Sequence, residues 1–369
     1  MKLQVLQENF SKALTTASHF TSSRAQLPVL GNILLSASKT KLSVSSTNLE
    51  ISIALSIGAK IDKEGSITVP SRVITDLVSN LPSATIELEA EKEQLKISSE
   101  KFHSTVSGMN SSDFPEVPQS VGKGAFSLPK QDFLQALSQV IFAASIDETR
   151  PVLTGVLLIF KKGQLIMVAT DGFRLSQKKI ALQSSTKEGK LILPKNVLAE
   201  VSRLAAEEGD LLLEIRPNEN QSVFALDGTI LSSRVLEGEF PDFERIIPKE
   251  SNIKVSLDKE ELLRAVKLSS VFARDSANIV AIKVLKEVVE ISSESQLAGS
   301  QEAQVEAKVE GNAKDFEISF NFRFLEEFLH AAKGEGVQME FSSSSSPGVF
   351  IDPSDPSFLH LIMPVRIQP

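Results

Sequence analysis

Leu27-Pro28-Val29-Leu30 and Arg150-Pro151-Val152-Leu153 set the frame for the whole chain. They share a Pro-Val-Leu core at an offset of 123 residues. Working outward, Thr47-Asn48 meets Thr170-Asp171 at the same offset, and Phe10 meets Phe133. The chain has 369 residues, three times that offset. A period this long exceeds a solenoid repeat and suits a whole domain. Three copies of one domain are therefore expected, at 1–121, 122–249 and 250–369. Turn-rich stretches mark the seams: Ser120-Val121-Gly122-Lys123-Gly124 and Pro248-Lys249-Glu250-Ser251-Asn252. Such short linkers predict fixed rather than loosely strung domains.

Each copy carries two helical stripes. Copy one has Phe10, Leu14, Ala17 and Ser18, then Val73, Ile74, Leu77, Val78 and Leu81 after Pro70, a residue suited to a first helical turn. Copy two has Phe133, Leu134, Leu137, Val140 and Ile141, then Val197, Leu198, Val201, Leu204 and Ala205. Copy three has Leu262, Leu263 and Val266, then Phe324, Leu325, Phe328, Leu329 and Ala332. The remainder reads as strand. Leu49, Ile51, Ile53, Leu55 and Ile57 alternate, which predicts one buried and one wet face. Asp227-Gly228 between two apolar runs predicts a two-residue hairpin. The serine run 342–346 before Pro347-Gly348 reads as a loop. Each copy is thus α+β, two helices over antiparallel sheet.

Composition narrows the chemistry. There are no cysteines, so disulfides, thiolate metal sites and cysteine nucleophiles are excluded. Trp and Tyr are absent too, leaving Phe as the sole aromatic. Lys and Arg number 39 against 47 Asp and Glu, a net charge of −8. That balance argues against a surface coated with nucleic acid and leaves room for a local basic face. Met1-Lys2-Leu3-Gln4-Val5 alternates like a strand rather than a signal-peptide core, so the cytoplasm is the expected compartment.

No phosphate loop, dinucleotide turn or nucleophile elbow occurs. His19, His103, His330 and His360 are scattered, with no pair at metal-ligand spacing. Glu207-Glu208 and Glu326-Glu327 fall on polar helix faces and read as solvated. Asp171, in Ala169-Thr170-Asp171-Gly172 after an apolar strand, allows two readings. It is either a phosphoryl or metal-binding carboxylate or a residue of a tight turn. The turn is favoured because no carboxylate cluster or lysine signature accompanies it.

Five strings occur in order: Leu27-Pro28-Val29-Leu30-Gly31-Asn32, Thr47-Asn48-Leu49-Glu50, Ala169-Thr170-Asp171-Gly172-Phe173-Arg174-Leu175, Phe240-Pro241-Asp242-Phe243-Glu244-Arg245 and Met363-Pro364-Val365-Arg366. In these the chain resembles the bacterial DNA polymerase III beta subunit, the replicative sliding clamp, over its whole length. The resemblance implies a non-enzymatic processivity factor without cofactor. Its three clamp-type domains would form a crescent that dimerises head to tail into a ring around double-stranded DNA.

The resemblance also carries site residues. Arg24, Arg72, Arg150, Lys195 and Arg245 fall at or near positions that face DNA, with Arg203 a weaker match. A groove for the peptide tails of the polymerase III alpha subunit, the clamp loader and other partners matches Val152, Leu153, Thr170, Gly172, Phe173, Arg174, Leu175, Pro241, Ile246, Phe324, Pro347, Leu361, Met363, Pro364, Val365 and Arg366. Phe173 stands where His or Tyr is common in the family, and Val152 where Tyr is common. The homodimer joint is expected at Phe102, Ser104 and Val106 of one copy and Phe272 and Glu302 of another. Two other readings compete: an Asp171-centred phosphoryl or metal enzyme, and a three-domain protein-binding scaffold that ignores DNA.

Overall fold

The computed structural model describes residues 1–22, 27–182, 188–205 and 209–366. Copy one runs β1 (Lys2–Leu6), α1 (Gln7–Ser18), β2 (Asn32–Ser38), β3 (Lys41–Thr47), β4 (Ile51–Gly58), β5 (Lys60–Lys63) and β6 (Gly65–Pro70). It closes with α2 (Ser71–Ser79), β7 (Thr85–Glu91), β8 (Gln94–Ser99) and β9 (Phe102–Ser107). Copy two runs β10 (Phe126–Leu128), α3 (Lys130–Val140), β11 (Gly155–Lys161), β12 (Gln164–Thr170), β13 (Arg174–Ala181) and β14 (Gly189–Pro194). Then come α4 (Lys195–Leu204), β15 (Leu211–Arg216), β16 (Gln221–Leu226) and β17 (Thr229–Arg234). Copy three runs β18 (Ile253–Asp258), α5 (Lys259–Ala273), β19 (Ile279–Val284), β20 (Val288–Ser295), β21 (Gly299–Gly311) and β22 (Phe316–Asn321). It ends with α6 (Phe322–Ala331), β23 (Gly336–Phe341), β24 (Gly348–Ile351) and β25 (Phe358–Ile362). The fold is α+β, and every strand pairing described is antiparallel.

Helix boundaries follow local chemistry. Asp258 caps α5 by accepting the Glu261 N–H at 2.9 Å, and Asn321 caps α6 by accepting from Arg323 at 3.0 Å. Pro70 immediately precedes α2. The predicted stripes are the buried faces: Phe10, Leu14 and Ala17 in α1, Val197, Leu198 and Val201 in α4, and Leu325, Phe328 and Leu329 in α6. Burial of each such side chain is worth about 1.5–3 kcal/mol. The α2 stripe is narrower than its pattern, because Val73 is exposed. The Asp227-Gly228 hairpin is present between β16 and β17, with φ of 43° and 82° at the two turn residues. Those left-handed angles suit Asp-Gly. Residues 342–347 form the expected loop.

One expectation needs correction. Leu49 is not a strand residue: it sits in the β3–β4 turn at φ 75°, and is exposed. The alternation after it also fails at first, since Ile51, Ser52, Ile53 and Ala54 are all buried. The reason is the sheet around them. Strand β4 lies between β3 and β17 in an eight-stranded sheet ordered β10-β15-β16-β17-β4-β3-β2-β6; α1 packs on one of its faces, and on the other the small Ser52 and Ala54 are sheltered between the flanking strands, Ser52 against Ser232.

That sheet joins strands from copies one and two. A twelve-stranded sheet, β14-β11-β12-β13-β25-β24-β23-β18-β21-β20-β19-β22, joins copies two and three. A five-stranded sheet, β5-β1-β7-β8-β9, belongs to copy one alone. Copy two thus splits its strands between two sheets. Two compact units result. One holds Met1–Lys130 and Asn196–Val235, the other Gln131–Lys195 and Leu236–Pro369.

Within the second unit, β21 has an unusual double allegiance. Its Gly299–Glu306 half pairs with β20, and its Ala307–Gly311 half pairs with β18. The core there is rich in phenylalanine. Phe320 meets Phe350 edge-on at 5.5 Å, and Phe328 stacks on Phe358 at 5.7 Å.

Candidate functional site

Thr170 and Asp171 build the turn that carries the groove residues. The Thr170 hydroxyl donates to the Arg174 carbonyl at 2.6 Å and accepts the Gly172 N–H at 3.0 Å. Asp171 Oδ1 accepts the N–H groups of Phe173 and Arg174, and Oδ2 accepts from Arg174 Nε at 3.1 Å. Both carboxylate oxygens are therefore occupied within its own turn. Among the described residues no cluster of three carboxylates or histidines could hold a metal. Nothing supports the enzyme reading of Asp171. The Gly172 φ of 92° is the geometry this turn requires.

Strand β13 leaves that turn and pairs with β25, setting Arg174 opposite Ile362 and Leu175 opposite Leu361. One face of this joint is apolar. Leu153, Leu175, Leu361, Phe240 and Phe243 form one buried cluster, with Val152 packed against it. Over that floor, Phe173 is 66% exposed, Ile246 45% and Met363 39%. Met363 N–H donates to the Phe173 carbonyl at 2.8 Å, so these two side chains neighbour one another. Pro241 and Arg366 are exposed, and Pro347, Pro364 and Val365 half-buried. The arrangement suits an apolar anchor laid over Leu175 and Leu361, with methionine adapting to its shape.

Arg174 is only 9% exposed, a depth at which a charge needs partners. Besides Asp171 it donates to the Phe142 carbonyl at 2.7 Å and pairs with Glu327 of α6. Its guanidinium lies 4.4 Å from the Phe324 ring centre. Burial pulls its pKa below the ordinary arginine value, and Asp171 opposes that pull. The resemblance counts Arg174 among the groove residues; the structure buries it among these partners. Arg150, read as a DNA contact, has its guanidinium 3.9 Å from where a Gly172 side chain would begin, beside the groove turn.

The same joint holds polar groups that the sequence reading overlooked. Lys178 Nζ sits 2.5 Å from Asp355, which also accepts from Gln139 and Ser357. Burial works to raise the Asp355 pKa, but these donors outweigh it and hold the carboxyl below its usual range. His360 is fully buried, faces Ser176 across the joint, and stacks on Phe328 at 5.6 Å. Its ring accepts from or donates to Ser176 Oγ at 2.7 Å. Burial first, and the Arg174 charge second, push its pKa down to about 3. One sequence signal could have found the seam: Ser176-Gln177-Lys178 is a polar run in mid-strand.

The remaining basic candidates are dispersed. Arg72 is highly exposed on α2, 3.7 Å from Asp76. Arg245 is exposed and pairs with Asp242 at 2.7 Å. Lys195 donates to the Ser145 carbonyl at 3.1 Å. Arg203 pairs with Glu200 at 2.6 Å. Arg24 and Glu207-Glu208 lie outside the described residues.

The joint residues occupy strand edges. Among the described residues, β9 ladders only with β8, leaving its other edge open, and Phe102 is exposed. The Gly299–Glu306 half of β21, with Glu302 exposed, is open opposite β20. Phe272 lies near this edge, 3.9 Å from where a Gly299 side chain would begin.

Comparison with known proteins agrees with this geometry. Models of the DNA polymerase III beta subunit match in sequence: its N-terminal domain at residues 1–118, central domain at 127–242 and C-terminal domain at 244–366. A beta sliding clamp of Staphylococcus aureus is 30% identical over 377 residues, covering 99% of both chains. One from Synechococcus elongatus is 31% identical over 379 residues, covering 100% of both. The crystal structure of the DNA polymerase sliding clamp from Bacillus subtilis matches with a TM-score of 0.94 at 27% identity, covering 100% of both chains. Three domain matches in order, over a repeat that builds an apolar groove and two open strand edges, make the chain a member of the DNA polymerase III beta subunit family, the beta sliding clamps.

Proposed function

We propose that two copies of this chain close head to tail into a ring that encircles duplex DNA and slides along it. As a beta sliding clamp it acts by tethering, not by catalysis. The observation that carries the ring is the pattern of strand joints. Strand β4 of copy one pairs with β17 of copy two, and β13 of copy two pairs with β25 of copy three. By the same rule the Gly299–Glu306 half of β21 in copy three and β9 in copy one each have, among the described residues, one edge without a neighbouring strand. A head-to-tail contact between them extends both sheets, removes both open edges and closes when the rotation closes.

Encirclement explains how a chain of net charge −8 holds DNA. Topology replaces affinity, and a few cations touching phosphates suffice. Arg72 and Arg245 are exposed enough for that role, and Arg24, Arg150 and Lys195 are the further candidates. The groove over Leu175 and Leu361 takes apolar peptide tails of the polymerase III alpha subunit, the clamp loader and other DNA-handling proteins. Tethering raises the polymerase's local concentration at the primer end. The cytoplasm is the compartment this work requires; among the described residues no helix is long and apolar enough to cross a membrane.

The test is to load the protein on nicked circular DNA with a clamp loader and then linearise the circle. A clamp leaves through the ends within the sliding time. Equal retention on circle and linear DNA would overturn the reading.

A further inference from the structure

We propose that Met363 is an oxidation site, and that conversion of its thioether to a sulfoxide shuts the peptide groove without unfolding the chain. This rests on the groove reading above and adds a chemical control to it.

The chain offers oxidants few targets. Two-electron oxidants such as peroxides attack thiols and thioethers. Cysteine is absent, and methionines number five. Met167 of β12 and Met339 of β23 are wholly buried, and Met1 is nearly so. Met109 is half-buried and bridged to Thr68, donating its N–H at 2.9 Å and accepting at 3.2 Å. Met363 stands apart at 39% exposed. The most accessible sulfur-bearing side chain is therefore the one in the groove.

The backbone that presents it is pinned. Strand β25 ends at Ile362, opposite Arg174. One residue on, Met363 N–H donates to the Phe173 carbonyl, and Val365 N–H donates to the Ser319 carbonyl, each at 2.8 Å. The side chain thus projects from a fixed stretch beside exposed Phe173. Neither these hydrogen bonds nor the buried cluster of Leu153, Leu175 and Leu361 uses the sulfur. An added oxygen there leaves the joint intact.

The step balances with hydrogen peroxide as oxidant. The sulfur lone pair attacks one peroxide oxygen, an S–O bond forms as the O–O bond breaks, and the second oxygen leaves as water. Sulfur gives up two electrons and the peroxide gains them. A flexible apolar side chain becomes polar and chiral.

The surrounding donors are already committed. Gly172 N–H donates to Thr170 Oγ, and the N–H groups of Phe173 and Arg174 donate to Asp171. The N–H of Met363 itself is held by Phe173. The Arg174 guanidinium is buried against Asp171 and the Phe142 carbonyl. Water serves the sulfoxide oxygen while the groove is open. An apolar peptide side chain laid over Leu175 and Leu361 expels that water and leaves the acceptor unpaired. The thioether carries no such penalty and moulds itself to the anchor. The oxidised state is reversible from outside. A dithiol-dependent sulfoxide reductase returns the thioether, with the oxygen leaving as water and the dithiol closing to a disulfide.

The test treats the full chain with limiting hydrogen peroxide and maps the product by peptide mass. Met363 should take up one oxygen before the other four methionines, with the urea midpoint unchanged. Affinity for a synthetic tail peptide of the polymerase III alpha subunit, read by calorimetry, should fall about ten-fold or more. The two methionine sulfoxide reductases, one per epimer, should together restore it. Met363→Leu should hold its own affinity through the same treatment, and Met363→Gln should show the loss without oxidant. Oxidation of another methionine first, unchanged affinity once Met363 is oxidised, or an equal loss in Met363→Leu overturns the inference and leaves the groove standing. An untreated protein that fails to bind the peptide overturns the groove reading and the switch with it, while the mass map still reads where oxygen adds.

Discussion

The first and second internal joints have the same backbone plan and opposite side-chain chemistry. Where β4 meets β17, the buried polar contact is a pair of hydroxyls, Ser52 and Ser232, 2.5 Å apart among Ile53, Ala54 and Leu231. Where β13 meets β25, the joint buries Lys178 with Asp355, Arg174 with Asp171 and Glu327, and His360 against Ser176. Ladder hydrogen bonds therefore suffice to set a joint, and the side chains are free to vary. The first joint is indifferent to pH by composition. The second is not.

The largest expected difference comes from breaking the buried ion pair. Lys178→Met strands Asp355 in a site where its other donors are already committed. A loss of about 3–5 kcal/mol is expected, read as the urea midpoint of the second unit. An effect below 1 kcal/mol would mean water already reaches the pair.

Acid should separate the joints next. The His360 pKa is depressed to about 3, so the unfolded chain takes up protons first as pH falls below about 6.5. Stability of the second unit should drop progressively from there toward pH 3, at about 1.4 kcal/mol per unit of pKa difference. Asp355 acts in the same direction at the acid end: its depressed pKa gives stability that is present above about 4 and lost below it. Amide exchange of β25 compared with β17 across pH 7 to 4 reads the contrast. His360→Phe should flatten most of the slope above pH 4.

A smaller effect concerns function at the second joint's apolar face. Phe173→Ala with Met363→Ala should weaken partner-peptide binding about ten-fold by calorimetry. Both side chains are substantially exposed, so stability should move by under about 0.5 kcal/mol. Unchanged peptide affinity would remove these residues from the groove. Smallest of all, Ser232→Ala should cost the first joint about 1 kcal/mol in urea unfolding, the worth of one net hydrogen bond.

Much of this was legible in the sequence, and the gaps have physical causes. Helix stripes such as Leu325, Phe328 and Leu329 follow a 3.6-residue period set within one element, and they were readable. Asp227-Gly228 was readable because turn chemistry is local. Leu49 misled because apolarity continued through a turn whose geometry depends on Thr47 and Asn48. The double burial at Ile51–Ala54 was invisible because the neighbour on one side, β17, comes from another copy. The groove floor of Leu175 and Leu361 came from family resemblance rather than pattern. Lys178, Asp355 and His360 escaped because charge ordinarily signals surface, and only the assembled joint shows their pairing.

Strand β21 carries a mechanical implication. Its 13 residues span roughly 40 Å of stiff backbone. One end is tied laterally to β20, the other to β18, which in turn adjoins the β23–β24–β25 ladder. Force applied to its free border is therefore not absorbed locally. A protein prising at that border works against the whole twelve-strand plate.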